Sequence, residues 1–187
     1  SLVCIESSDY DSHYDTETLD AMTWLGFHRL AINGLSDDAA QPMTIGRYTL
    51  ICNGEIYNHG ALANVFNLPC TTGSDCEVII HLCRRFGIER TLDLLHGVYA
   101  FVLYERPEVP TMQEKIYIAR DRYGVRPLYE IINGAGTIIG VASEGKSLQP
   151  LIGADSTGSL TIRQYQPGSY TVLKRVSSPS RVLQDSD

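Results

Sequence analysis

Short apolar runs separated by polar or glycine-containing breaks dominate the chain, the signature of a protein built largely from strands. Residues 1–6 predict a buried strand, and the acidic, serine-containing stretch 6–18 predicts a loop. Residues 23–30 have strand composition, 33–42 read as a loop, and 47–52 form a second strand that ends in the apolar run Tyr48-Thr49-Leu50-Ile51-Cys52. A short helix is expected over 59–65. The clearest helix follows Thr72-Gly73-Ser74, with Ser74 as N-cap and Glu77 three residues on as a capping box. Val78, Ile79, Leu82, Cys83 and Phe86 then recur at helical spacing, and Gly87 supplies the stop. A further short helix over 88–95 leads to strands at 98–104 and 115–119 around a loop containing Pro107 and Pro110. Strands at 128–132 and 137–142 are joined through Asn133-Gly134-Ala135-Gly136, and a last strand covers 169–173. Runs of strands beside paired helices mean an α+β protein rather than alternating βαβ units.

The composition fits this picture and narrows the function. At 187 residues, 43% hydrophobic and 20% charged, the chain predicts one well-filled globular domain. A polar tail over 176–187 reads as a linker or disordered end after a domain spanning 1–175. The net charge of −7 argues against a nucleic-acid or anionic-membrane partner. No apolar run approaches the roughly 20 residues that span a bilayer, and the first residues carry no basic leader, so a cytoplasmic setting is expected. The five cysteines (Cys4, Cys52, Cys70, Cys76, Cys83) include no C-x-x-C pair, so neither a disulfide framework nor a zinc site is indicated and no metal is expected. Cys4 and Cys52 read as buried thiols in strands, and Cys76 and Cys83 as one face of a helix.

Candidate chemistry begins at Asn53-Gly54-Glu55-Ile56-Tyr57-Asn58-His59, directly after the strand at 47–52. An apolar strand stopping at Asn-Gly would deliver an amide side chain and a glycine N–H to a turn, the two donors that hold a developing oxyanion in acyl transfer. The competing reading is a tight Asn-Gly hairpin. Arg29, after His28 at the end of an apolar strand, could hold a carboxylate bidentately, and Asp75 at a helix start would stay ionised. With Glu55 as a further acceptor for an ammonium group, these residues describe a pocket for a free amino acid with a reactive side-chain carbonyl.

The order and spacing of the segments resemble one family. His28-Arg29-Leu30-Ala31-Ile32, Ala40-Gln41-Pro42-Met43, the run from Cys52 to His59, and Gly73-Ser74-Asp75-Cys76-Glu77-Val78-Ile79 are similar to class II glutamine amidotransferase domains. So are Gly97-Val98-Tyr99-Ala100-Phe101, Ala119-Arg120-Asp121-Arg122-Tyr123-Gly124-Val125-Arg126-Pro127-Leu128-Tyr129 and Ala142-Ser143-Glu144. The version is that of glutamine-hydrolysing asparagine synthetases, and it covers residues 24–174. The resemblance implies an N-terminal-nucleophile hydrolase fold, a four-layer αββα sandwich of two antiparallel sheets between helical layers. It implies hydrolysis of L-glutamine to glutamate and ammonia for an ATP-dependent synthetase domain. It assigns Arg29 to the α-carboxylate, Glu55 and Asp75 to the α-ammonium, and Asn53 and Gly54 to the oxyanion hole. Leu30, Ala31, Ile32 and Asn33 would line the pocket floor. Arg120-Asp121 and Arg126-Pro127 would shape the fold and an interface with the synthetase domain. No cofactor is expected in this domain, since ATP and Mg²⁺ belong to the synthetase domain, and a homodimer is left open.

The sequence also departs from the family. The family begins Cys-Gly-Ile, whereas Ser1 stands first here, and Ser7-Ser8-Asp9-Tyr10-Asp11-Ser12-His13 occupies the place of an Arg-Gly-Pro-Asp segment. The distance to Arg29 is short by roughly twenty residues, about one helix and its loop. Three readings stay open: residues missing from the start of an active enzyme, an inactive relative kept for binding or assembly, or Ser1 itself as nucleophile. Another class II amidotransferase is a further alternative. No Ser-Gly-Gly-x-Asp-Ser pyrophosphate loop occurs, so the synthetase half is expected on another segment.

Overall fold

The computed structural model of the protein describes residues 2–6, 23–27, 40–109 and 113–176. Ten strands form two antiparallel five-stranded sheets among these residues. One sheet contains β1 (Leu2–Glu6), β2 (Thr23–Phe27), β7 (Tyr129–Ile132), β8 (Ile138–Ala142) and β9 (Thr161–Gln164), in the order β2-β1-β8-β7-β9. The other contains β3 (Met43–Ile45), β4 (Tyr48–Ile56), β5 (Gly97–Glu105), β6 (Gln113–Arg120) and β10 (Tyr170–Val176), in the order β10-β6-β5-β4-β3. The helices are α1 (His59–Phe66), α2 (Glu77–Leu94) and α3 (Gln149–Ala154), the last preceded by a 3₁₀ turn at Gly145–Leu148.

Strand periodicity sorts the apolar side chains into three cores, which are the three interfaces of four layers. Leu50, Cys52, Ile56, Tyr99, Phe101 and Leu103 pack under α1 and α2. Their neighbours Ile51, Ala100 and Val102, with Ile116 and Ile118, face the other sheet and meet Leu128, Ile138 and Val141. On the far side of that second sheet, Ile131 and Ala142 pack against Leu148 and the α3 residues Leu151 and Ile152. The αββα sandwich is therefore formed, with α1 and α2 on one face and α3 on the other.

Several elements depart from the sequence reading. β4 does not stop at Cys52 but runs through Asn53-Gly54-Glu55 to Ile56, paired with β5 without a break in register as far as Gly97. The Asn-Gly hairpin is thereby excluded. A close approach explains the glycine: a Cβ on Gly54 would meet the Val98 carbonyl oxygen, and would lie 2.6 Å from Tyr99 Cα. α2 begins at Glu77 with Cys76 as N-cap, so Ser74 does not form the expected capping box. The Glu77 carboxylate instead reaches back to the N–H groups of Thr71 and Thr72 and to the Thr72 hydroxyl. Cys76 thus precedes the helix rather than sharing it with Cys83, although both thiols are buried. Gly87, at φ 78°, interrupts α2 where the stop was expected, and the chain resumes as helix. β3, β9 and α3 were not anticipated. The readings for 7–22 and 177–187 lie outside the described residues.

After β6 the chain turns through a loop built on two side chains. Arg120 donates to the carbonyls of Arg126 (2.8 Å), Tyr165 (2.6 Å) and Gly124 (2.8 Å). Asp121 accepts from the backbone N–H groups of Tyr99, Tyr123, Val125 and Arg126. Both residues are buried, and their shape-giving role is as expected from the sequence. The loop they hold presents Tyr123 at 83% and Val125 at 58% exposure.

Candidate functional site

The site is organised by the free edge of β4. In an antiparallel pair, facing residues alternate between those that exchange N–H···O bonds and those whose polar groups point outward. Tyr99 turns both backbone groups toward Asp121, its N–H to the carboxylate at 3.3 Å and its C=O to the Asp121 N–H at 2.8 Å. Its register partner Gly54 is therefore in a pair without mutual hydrogen bonds, so the Gly54 N–H points away from β5. Among the described residues, β3 pairs with β4 only from Tyr48 to Leu50, and no other strand pairs with this edge further along.

Two neighbouring residues confirm the direction. Cys52, two residues before Gly54, has its N–H and C=O taken by the Gln41 amide, at 2.5 and 3.2 Å. Ile56, two residues after, donates its N–H to Asp75 Oδ2 at 2.7 Å. The Gly54 N–H thus lies on the same edge between two capped positions, and has no partner among the described residues. Its isolation is what an oxyanion donor requires.

Asn53 and Glu55 point to the other side of β4, toward the second sheet. Asn53 Nδ2 donates to Ser143 Oγ at 3.4 Å, a long bond that a better acceptor would displace. Ser143 directly follows β8, and the register pairs Val3 of β1 with Ala142. The N-terminal end of β1 consequently lies at the same end of the sandwich as Asn53. Glu55 is exposed and Asp75 is buried. Since Asp75 spends Oδ2 on Ile56, a carboxylate oxygen remains for another donor.

The remaining residues of the Asn-Gly-Glu run fix the chain beyond β4. Asn58 accepts from the His96 N–H and donates to the Leu94 carbonyl, and the His59 ring contacts the Ile56 carbonyl oxygen at 2.8 Å. These bonds tie the end of β4 to the end of α2. Asn53, Gly54, Glu55 and Asp75 are therefore gathered on and beside one strand end. Ser1, Arg29, Leu30, Ala31, Ile32 and Asn33 lie outside the described residues. Gln41 and Ser143 were missed as site residues, although both sit in segments that carry the family resemblance. A cavity of about 610 Å³ lined in part by Asp93, His96, Tyr99, Arg120, Arg122 and Tyr123 contains none of the candidate glutamine-binding or oxyanion residues among those described.

Residues 8–180 match the family described as glutamine amidotransferase domain. The chain belongs to that family. It is 40% identical over 151 residues to the asparagine synthetase [glutamine-hydrolyzing] of Rattus norvegicus, and 39% identical over 151 residues to that of Homo sapiens. The protein of the same name from Gallus gallus is 40% identical over 151 residues. Each match covers 79% of this chain and 26% of the relative, so the amidotransferase domain described here spans about a quarter of the length of those proteins. No helix among the described residues is long and apolar enough to cross a membrane.

Proposed function

We propose that this domain hydrolyses the side-chain amide of L-glutamine to glutamate and ammonia, and that the ammonia serves an ATP-dependent synthetase domain of the asparagine synthetase kind. The observation that carries this reading is the Gly54 N–H, which has no partner among the described residues on the edge of β4 that faces away from β5, beside an Asn53 amide that is only weakly engaged. Attack on the glutamine Cδ converts its carbonyl oxygen to an oxyanion, which these two groups would hold. The nucleophile would be the first residue of the processed chain, with its own α-amine taking the proton, at the end of β1 that lies beside Ser143. Collapse of the tetrahedral adduct returns that proton to the leaving nitrogen as ammonia, and water then releases glutamate from the acyl-enzyme. Asp75 and Glu55 would receive the α-ammonium group, and Arg29 the α-carboxylate. Family membership and the match to glutamine-hydrolyzing relatives support the substrate.

The test couples intact mass and N-terminal sequencing to titration with an electrophilic glutamine analogue. Labelling of the N-terminal residue, with glutamate production, is the expected result. A mature start at Ser1 that neither labels nor turns over glutamine would overturn hydrolysis. Asn53→Ala in the labelling-competent protein should lower kcat by about 100-fold or more. A change confined to KM would remove Asn53 from the oxyanion hole.

A further inference from the structure

We propose that Cys70, Glu77 and His81 form a binding site for one zinc-type divalent cation, with three protein ligands and a fourth position open to water. One thiol sulfur, one carboxylate oxygen and one imidazole nitrogen lie within 4.8 Å of one another in this cluster. Thiolate, imidazole and carboxylate together are the donor set of tetrahedral Zn²⁺, and three protein ligands with an open position is one of its two common arrangements. Glu77 and His81 are one turn apart on α2, with Glu77 Oε1 at 3.3 Å from His81 Nε2. Cys70 lies on the loop between α1 and α2.

The surroundings suit a bound cation. Thr72 donates its N–H (2.8 Å) and its hydroxyl (2.7 Å) to Glu77 Oε2, and the Thr71 N–H reaches both oxygens at 3.0 Å. Oε2 is thus held by the loop while Oε1, facing His81, is the less occupied oxygen. Outer hydrogen bonds of this kind orient a ligating carboxylate. Glu77 and His81 are buried, and Cys70 is half-buried. The site does not depend on glutamine chemistry, but it lies close to Asp75 and would pin the loop that leads into it.

Cobalt(II) substitution is the direct test on the purified protein. One equivalent of Co²⁺ should produce thiolate-to-metal charge-transfer absorption and the intense d–d bands of a tetrahedral ion, and added Zn²⁺ should abolish both. Zn²⁺ alone should raise the Tm. Cys70→Ala and His81→Gln, checked for folding by circular dichroism, should each lose at least the roughly 10–100-fold in affinity that removal of an outer-shell partner costs. Cys83→Ala, which alters a buried thiol outside the cluster, should keep the bands. The proposal fails if one equivalent of Co²⁺ gives no thiolate band, or if the band survives in Cys70→Ala. Should Cys70→Ala not fold, Cys70→Ser must lose the sulfur charge-transfer band, and its persistence equally overturns the site.

Discussion

Gly54→Ala tests the geometry of the β4 edge most sharply, because the added atom meets backbone rather than side chain. An ideal Cβ there lies 2.6 Å from Tyr99 Cα and 2.9 Å from Tyr99 Cβ, and closer still to the Val98 carbonyl oxygen. Cβ contacts under 3.0 Å are essentially never seen, so moving from 2.6 to 3.0 Å requires at least about 0.4 Å of separation between β4 and β5. Tyr99 is buried and Gly54 half-buried, and overpacking of this kind costs about 1–3 kcal/mol. For a protein of this size that is a loss of roughly 2–12 °C in Tm. The same displacement moves the Gly54 N–H and the Asn53 amide. Misplacement by about 1 Å costs on the order of 100-fold in rate, so a fall of roughly tenfold in glutaminase kcat is expected. Gly60→Ala in α1 is the matched control. No atom lies within 4 Å of a Cβ there, and relief of glycine's entropy cost should stabilise by about 0.5–1 kcal/mol. Thermal melts by circular dichroism read both signs. A Gly54→Ala protein melting within about 1 °C of wild type, with unchanged kcat, would refute the close approach as the reason for this glycine.

The loop after β6 and the start of α2 give two further expectations. Asp121→Ala strips the acceptor from four backbone N–H groups. Only the Tyr99 donor lies in a fully buried bond, and leaving it unsatisfied costs about 1–3 kcal/mol, so urea denaturation should show a loss of about 1–3 kcal/mol, and a loss below about 0.5 kcal/mol would contradict the structure. For Glu77, burial opposes ionisation, but hydrogen bonds from Thr72, Thr71 and His81 outweigh it and hold the carboxyl below its ordinary value of 4.5. A lowered carboxyl contributes stability above the unfolded value and loses it as pH falls through the folded one. The stability advantage of wild type over Glu77→Gln should therefore be constant above about pH 5 and shrink below pH 4.5. An advantage that does not change down to pH 3 would rule out the folded-state ionisation.

Local pattern determined much of this protein. Alternation of apolar residues placed nearly all the long strands, because one period-2 run feeds two different cores, as Leu50 and Ile51 do. Helical spacing and Gly87 similarly located α2 and its interruption. Short β3 and β9 carry too few residues for a period to register, and they exist only because β4 and β7 offer them partners. The motif residues Asn53, Gly54, Glu55 and Asp75 were legible in the sequence as a group, but their relation was not. Whether Asn53-Gly54 turns or continues as strand depends on what lies opposite, and register against Tyr99 decided it. That same register aims the Gly54 N–H outward, a direction no linear sequence encodes. Cysteine spacing indicated no metal site, because it registers only paired cysteines and not a lone cysteine beside a carboxylate and an imidazole. Cys70 joins Glu77 and His81 through the fold of a loop around a helix start, so only the tertiary structure brought those three donors together.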